Sequence, residues 1–201
     1  MAAAYDSAIS WYGGDLEIGS LGEPAQLDRA KIEEAFRLMG QYGGSAILLQ
    51  FEWRRLSMDV DVRIVSDSNH GLVIEAMHYA ANRLGLLSSW LNESVTMYAR
   101  KGEENADRVF LGIYPSAERF GLRVMAAKPP YILAMKLAAL ERFTAEDRDY
   151  EDAVNLGAEC RVTTVEGLRA NFRTYFGDEP LPRSAELRLR DLASAIKLKL
   201  G

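Results

Sequence analysis

The sequence predicts a mixed α+β (α/β) protein, with a small mixed sheet flanked by helices and followed by a helical C-terminal half. Three observations carry this. Residues 55–65, RLSMDVDVRIV, alternate polar and apolar side chains with a period of two, the signature of a strand with one buried face. The runs RVFLGIYP at 108–115 and FGLRVMAA at 120–127 are short and β-rich, with a turn-forming Pro-Ser between them. After Pro129-Pro130, which restrict the chain before a helix starts, every segment has helical spacing.

Taken in order, residues 1–26 contain Gly13-Gly14 and Gly22-Glu23-Pro24 and read as an irregular N-terminal arm packing through Trp11 and Tyr12. Leu27, Ile32, Ala35, Phe36 and Met39 then recur at helical spacing. A turn at Gly43-Gly44 is followed by Ser45, a candidate N-cap for a short apolar helix, AILLQFEW. The strand comes next, with Leu56, Met58, Val60, Val62 and Ile64 on the core side and Arg55, Ser57, Asp59, Asp61 and Arg63 on the other. SDSNHG at 66–71 reads as a loop, and VIEAMHYAANRLGL as a helix whose Ile74, Met77, Ala81 and Leu84 face inward. The two β-rich runs would form a hairpin beside the first strand. Four helices follow: YILAMKLAALERF, EDRDYEDAVNLGAE, TTVEGLRANFRTYFG and RSAELRLRDLASAIKLKL. The expected division is an arm (1–26), an α/β domain (27–128) and a helical region packed on it (129–201).

The 201 residues are 48% hydrophobic and 26% charged, enough for one substantial core. A single cysteine, Cys160, excludes an intrachain disulfide and a cysteine-rich metal site and fits a reducing compartment. With neither a signal-like N-terminus nor a long apolar run, the expectation is a cytoplasmic protein without a membrane partner. The net charge of -5 argues against a generally basic, nucleic-acid-coating surface. Residues 161–201 nevertheless hold eight basic side chains against five acidic ones, a local excess of the kind that solvated helix faces also carry.

Asp59 and Asp61, two apart on a strand, place their carboxylates on one side roughly 6 to 7 Å apart at the backbone, within reach of shared hard cations. A Gly-Gly-Ser turn at a helix start offers backbone N–H groups and a hydroxyl to an anion, and glycine allows close approach. Lys136 sits among apolar neighbours and must snorkel or find a partner, either a phosphate or a carboxylate such as Asp149 or Asp152. Those two aspartates are three apart and share a helix face; on a purely structural reading Asp149 caps or pairs with Arg142 while Asp152 is solvated. His70 in the loop and His78 on the helix lack metal-ligand spacing. No nucleophile elbow, Walker loop or dinucleotide fingerprint is present.

In order and spacing, Gly43-Gly44-Ser45, Arg55-x-Ser57-x-Asp59-x-Asp61, Lys136 in AMKLAALER and Arg148-Asp149-x-x-Asp152 resemble the nucleotidyltransferase-like proteins of the abortive-infection AbiEii type and related bacterial nucleotidyltransferase domains. Trp90, Leu91 and Asn92 in LGLLSSWLNESV also match a stretch common in that branch. The resemblance covers roughly residues 40–160 and implies a DNA-polymerase-β-like nucleotidyltransferase fold. It implies that Asp59 and Asp61 bind Mg²⁺ (or Mn²⁺), supported by Arg55 and Ser57, and that Gly43, Gly44 and Ser45 hold the triphosphate of an NTP. Lys136 would contact nucleotide phosphates, and Asp149 or Asp152 would act near the acceptor. The implied reaction moves an NMP from an NTP to a hydroxyl of an RNA (tRNA), a protein or a small molecule, and some members are toxins paired with a cognate antitoxin. For tRNA, the basic C-terminal helices would be the docking surface. One departure stands out: such enzymes place a third carboxylate on a later strand, and neither RVFLGIYP nor FGLRVMAA has one. Either Asp149 or Asp152 supplies it, or the chain is a catalytically silent nucleotide-binding or protein-interaction module of the same fold.

Overall fold

The computed structural model describes residues 29–42, 45–49, 60–64, 70–93, 107–115, 120–140 and 148–201. The N-terminal arm, Gly43, Gly44, Arg55, Ser57, Asp59 and Arg142 lie outside them. The element order is α1 (Arg29–Tyr42), β1 (Ser45–Leu49), β2 (Val60–Ile64), α2 (His70–Leu84), β3 (Leu91–Asn92), β4 (Arg108–Pro115), β5 (Phe120–Ala127), α3 (Pro129–Ala139), α4 (Arg148–Glu159), α5 (Val165–Phe176) and α6 (Arg183–Leu200). The protein is therefore a mixed helix-and-strand structure, with all the described strands before Pro129 and four consecutive helices after, as the change of pattern at Pro129-Pro130 predicts.

The strands form one mixed sheet in the order β3-β2-β1-β5-β4. β1 is antiparallel to β2 and parallel to β5, β2 is parallel to β3, and β4 is antiparallel to β5. The β4–β5 hairpin is as expected, but it adjoins β1 and not the alternating strand β2. The reason is a correction in the segment after Ser45: residues 45–49, SAILL, form a strand and not the start of an apolar helix. A short unbroken apolar run suits a central strand as well as a buried helix turn, and periodicity cannot separate the two. Pairing on both sides, to β2 and to β5, decides for the strand.

One face of the sheet carries α1 and α2. Val60, Val62 and Ile64 of β2, with Leu122 and Val124 of β5, pack against Ala35 and Phe36 of α1 and against Val73, Ala76, Met77, Ala80 and Ala81 of α2. This confirms the apolar parity of β2, and Arg63, between two buried neighbours, is half-exposed. On α2 the buried stripe is Val73, Ala76, Met77, Ala80 and Ala81, with Ile74 and Leu84 only partly buried. It is centred about one residue before the expected stripe, on the small side chains that let α2 approach the sheet. Trp90 is fully buried in the same cluster, and its indole N–H donates to the Met77 carbonyl at 3.1 Å. The Val60 N–H in turn donates to the Trp90 carbonyl, so this tryptophan joins α2 to the start of β2.

Alternation along β5 sends Met125 and Ala127 to the opposite face, where they meet Tyr131 and Met135 of α3 and Tyr175 and Phe176 of α5. A larger cluster then ties the four C-terminal helices together through Leu133, Leu137 and Leu140, Ala153 and Leu156, Leu168 and Phe172, and Leu189, Leu192 and Ile196. Within it α4 and α6 run in the same direction. The Arg188 guanidinium lies 4.6 Å over the Tyr150 ring, and about two turns further on Gly157 faces Ile196. No helix among the described residues is long and apolar enough to cross a membrane.

Candidate functional site

Lys136 lies in the last turn of α3, one residue past Met135 of the cluster that seats this helix on the sheet. Its neighbours Leu133, Leu137 and Leu140 are fully buried, so the ammonium leaves an apolar surface and needs a partner at its rim. α4 supplies two. Lys136 Nζ donates to Asp149 Oδ1 at 2.8 Å and lies 2.9 Å from Asp152 Oδ2. All three side chains are largely but not fully covered, 21, 21 and 17% exposed for Lys136, Asp149 and Asp152.

The helix period explains the convergence. Asp149, in the first turn of α4, and Asp152, three residues on, share a face, while Ala153 and Leu156, on the adjoining face, anchor α4 in the core. The helix dipole also favours Asp149 in that first turn. The sequence had named a carboxylate as one of two partners for Lys136, and the structure puts both aspartates there. The alternative of Asp152 as a solvated residue does not hold. The site thus sets one ammonium against two carboxylates, in a position that remains reachable from solvent.

The sheet brings some of the remaining residues near one another and separates others. Asp61 pairs in register with Asn92 of β3. Val62 is opposite Leu49, and Leu49 is opposite Ala126, so Asp61 is level with Ala127, two strands or about 10 Å away. That is the sheet end from which α3 departs. Ser45 is elsewhere: it opens β1 opposite Leu122, five residues along the strand from the level of Asp61, about 16 Å. The backbone of Ser45 thus stands well along the sheet from that of Asp61, because a strand carries its two ends apart; Gly43, Gly44 and Asp59 lie outside the described residues.

One arrangement was not legible in the sequence. Glu93, directly after β3, accepts the Ile64 backbone N–H through Oε1 at 3.0 Å and lies 2.9 Å from His70 Nε2 through Oε2. A single carboxylate joins β2, the segment after β3 and the first residue of α2. The sequence signal was slight, a glutamate in LNESV. His70 is a helix-start residue and not a loop residue, and His78 is exposed on α2. Among the described residues no group of three or more His, Cys, Asp or Glu side chains could hold a metal ion. No protein-family model, no curated protein and no solved structure matches the chain.

Proposed function

We propose that the chain is a Mg²⁺-dependent nucleotidyltransferase of the polymerase-β-like kind, moving an NMP from an NTP to a hydroxyl on RNA, a protein or a small molecule. The observation that supports it best is Lys136 between Asp149 and Asp152. One lysine shared by two carboxylates in a part-covered site keeps a second acceptor beside the ammonium when the first is given up. That arrangement suits a lysine that exchanges one carboxylate for a phosphate oxygen when nucleotide arrives. The released aspartate, Asp149 or Asp152, then accepts the proton of the acceptor hydroxyl.

Asp59 and Asp61 are the hard oxygen donors that Mg²⁺ takes, and Asn92, in register with Asp61, adds an amide oxygen to the donor chemistry at that level. Magnesium, when bound, supplies Lewis-acid polarisation of the transferred phosphate. The reading assigns the triphosphate to Lys136, Ser45 opening β1 five residues along the strand from the level of Asp61. Its biological setting would be that of a toxin held by a cognate antitoxin.

The second reading, a silent nucleotide-binding or interaction module, is favoured by two facts. Neither β4 nor β5 carries an acidic residue, and both aspartates of α4 are already engaged by Lys136. The test is incubation with each α-labelled NTP, Mg²⁺ and a bacterial lysate. Transfer is expected to give label on RNA, protein or a small molecule that is lost in both Asp61→Ala and Lys136→Met. If wild type and Asp61→Ala label the same products to the same extent, the enzymatic reading fails; a Mg²⁺-ATP-dependent thermal shift without pyrophosphate release then selects the silent module.

A further inference from the structure

α6 buries Ala185, Leu189, Leu192, Ala193 and Ile196 against the helical core. Its opposite face carries two leucines with no place in that core, Leu187 at 74% and Leu198 at 84% exposure. They are eleven residues apart, three turns or about 16 Å on one stripe. Between them on the same stripe fall Asp191 and Ser194, so that 187, 191, 194 and 198 follow the 4-3-4 spacing of a heptad seam. Beside the seam runs a second line: Arg183, Arg190 and Lys197, all exposed, recur every seven residues, about 10.5 Å apart. In heptad terms every flanking position on that side is a cation, where interhelical ion pairs select the partner.

From this pattern we infer that the outer face of α6 is a docking surface for an acidic amphipathic helix of a partner protein, whose apolar seam meets Leu187 and Leu198 and whose carboxylates meet Arg183, Arg190 and Lys197. Charge complementarity selects this occupant. A second copy of α6 would bring cations against cations. A nucleic-acid strand would use the cations and leave the leucines in water, and a lipid surface takes a continuous apolar face, which Asp191 and Ser194 interrupt. These two polar seam positions give the contact a defined register, because a partner helix must match them. The inference does not depend on the chemistry proposed for Lys136.

The test titrates the full chain against a fluorescein-labelled designed helical peptide about three heptads long, with a leucine seam and glutamate flanks, followed by anisotropy. The control peptide has the same seam and lysine flanks; a labelled RNA strand and anionic phosphatidylserine vesicles are run in parallel. The glutamate peptide is expected to bind at least roughly tenfold tighter than the lysine peptide, about 1.4 kcal/mol. The triple variant R183E/R190E/K197E should reverse that preference, and L187S/L198S should weaken binding about as much with unchanged far-UV circular dichroism. The inference is overturned if the glutamate peptide fails to bind, if L187S/L198S binds it as well as wild type does, or if RNA or vesicles bind more tightly than the peptide. A labelling result for the proposed transferase leaves each of these outcomes unchanged.

Discussion

Lys136 is the residue on which local stability and proposed chemistry meet. Its ammonium holds two aspartates that would otherwise face each other across about 20% exposure. Lys136→Met is therefore expected to destabilise the fold by roughly 2 kcal/mol, below the cost of breaking a fully buried pair because solvent still screens the site. Urea unfolding checks it, and adding Asp149→Asn and Asp152→Asn should recover part of the loss, since the two carboxylates then no longer repel each other. Cys160 gives a second residue-level expectation. Burial first and Glu159 second push its thiol up to about 11 from 9.0. The folded chain keeps this proton where the unfolded chain releases it, so the contribution to stability is complete below about pH 9 and is lost as pH rises through about 11. Alkylation of native protein at pH 8 should be slow and become fast in urea, and Cys160→Ala should flatten the alkaline limb of the stability profile.

At the scale of elements, close approach of α4 and α6 depends on Gly157. A Cβ built there would fall 2.3 Å from Ile196 Cδ1 and 2.9 Å from Cγ1, and Ile196 is itself fully buried. Alanine improves helix propensity by about 1 kcal/mol, yet overpacking costs about 1–3 kcal/mol and is expected to prevail. Gly157→Ala should lower the urea midpoint, and Gly157→Ala with Ile196→Val should restore part of it. The α4 and α5 pattern was readable in advance, because helix period is local; the structure adds the N-cap of α5, where Thr164 accepts the Gly167 N–H. The strand at Ser45–Leu49 was not readable, since a run of four apolar residues after Ser45 serves either structure and only the neighbours β2 and β5 choose. Two-residue β3 was equally out of reach; Leu91 and Asn92 become a strand only by pairing with Val60 and Asp61.

For the whole molecule, the junction between sheet and helices is narrow. Ala127, Tyr131 and Met135 form its buried centre, with Met125, Ile132, Tyr175 and Phe176 around them, and the Tyr131 and Tyr175 rings lie 5.1 Å apart. Tyr131→Ala should cost about 3 kcal/mol, and hydrogen exchange should show protection falling first at the end of β5 and the start of α3. Of the candidate site, the pairing of Lys136 with Asp149 and Asp152 was half legible: apolar neighbours demanded a partner, and a carboxylate was one of two choices. The placement of Ser45 away from Asp61 was not legible, because it follows from strand register. What the sequence by itself determined was periodicity: the apolar parity of Val60, Val62 and Ile64, the hairpin of β4 and β5, and the four helices after Pro129-Pro130. Tertiary structure alone decided the strand order, the partner of each charge and the distance between the ends of β1. Period and capping are set by neighbours along the chain, whereas pairing and register are set by whichever surface the folded chain brings alongside.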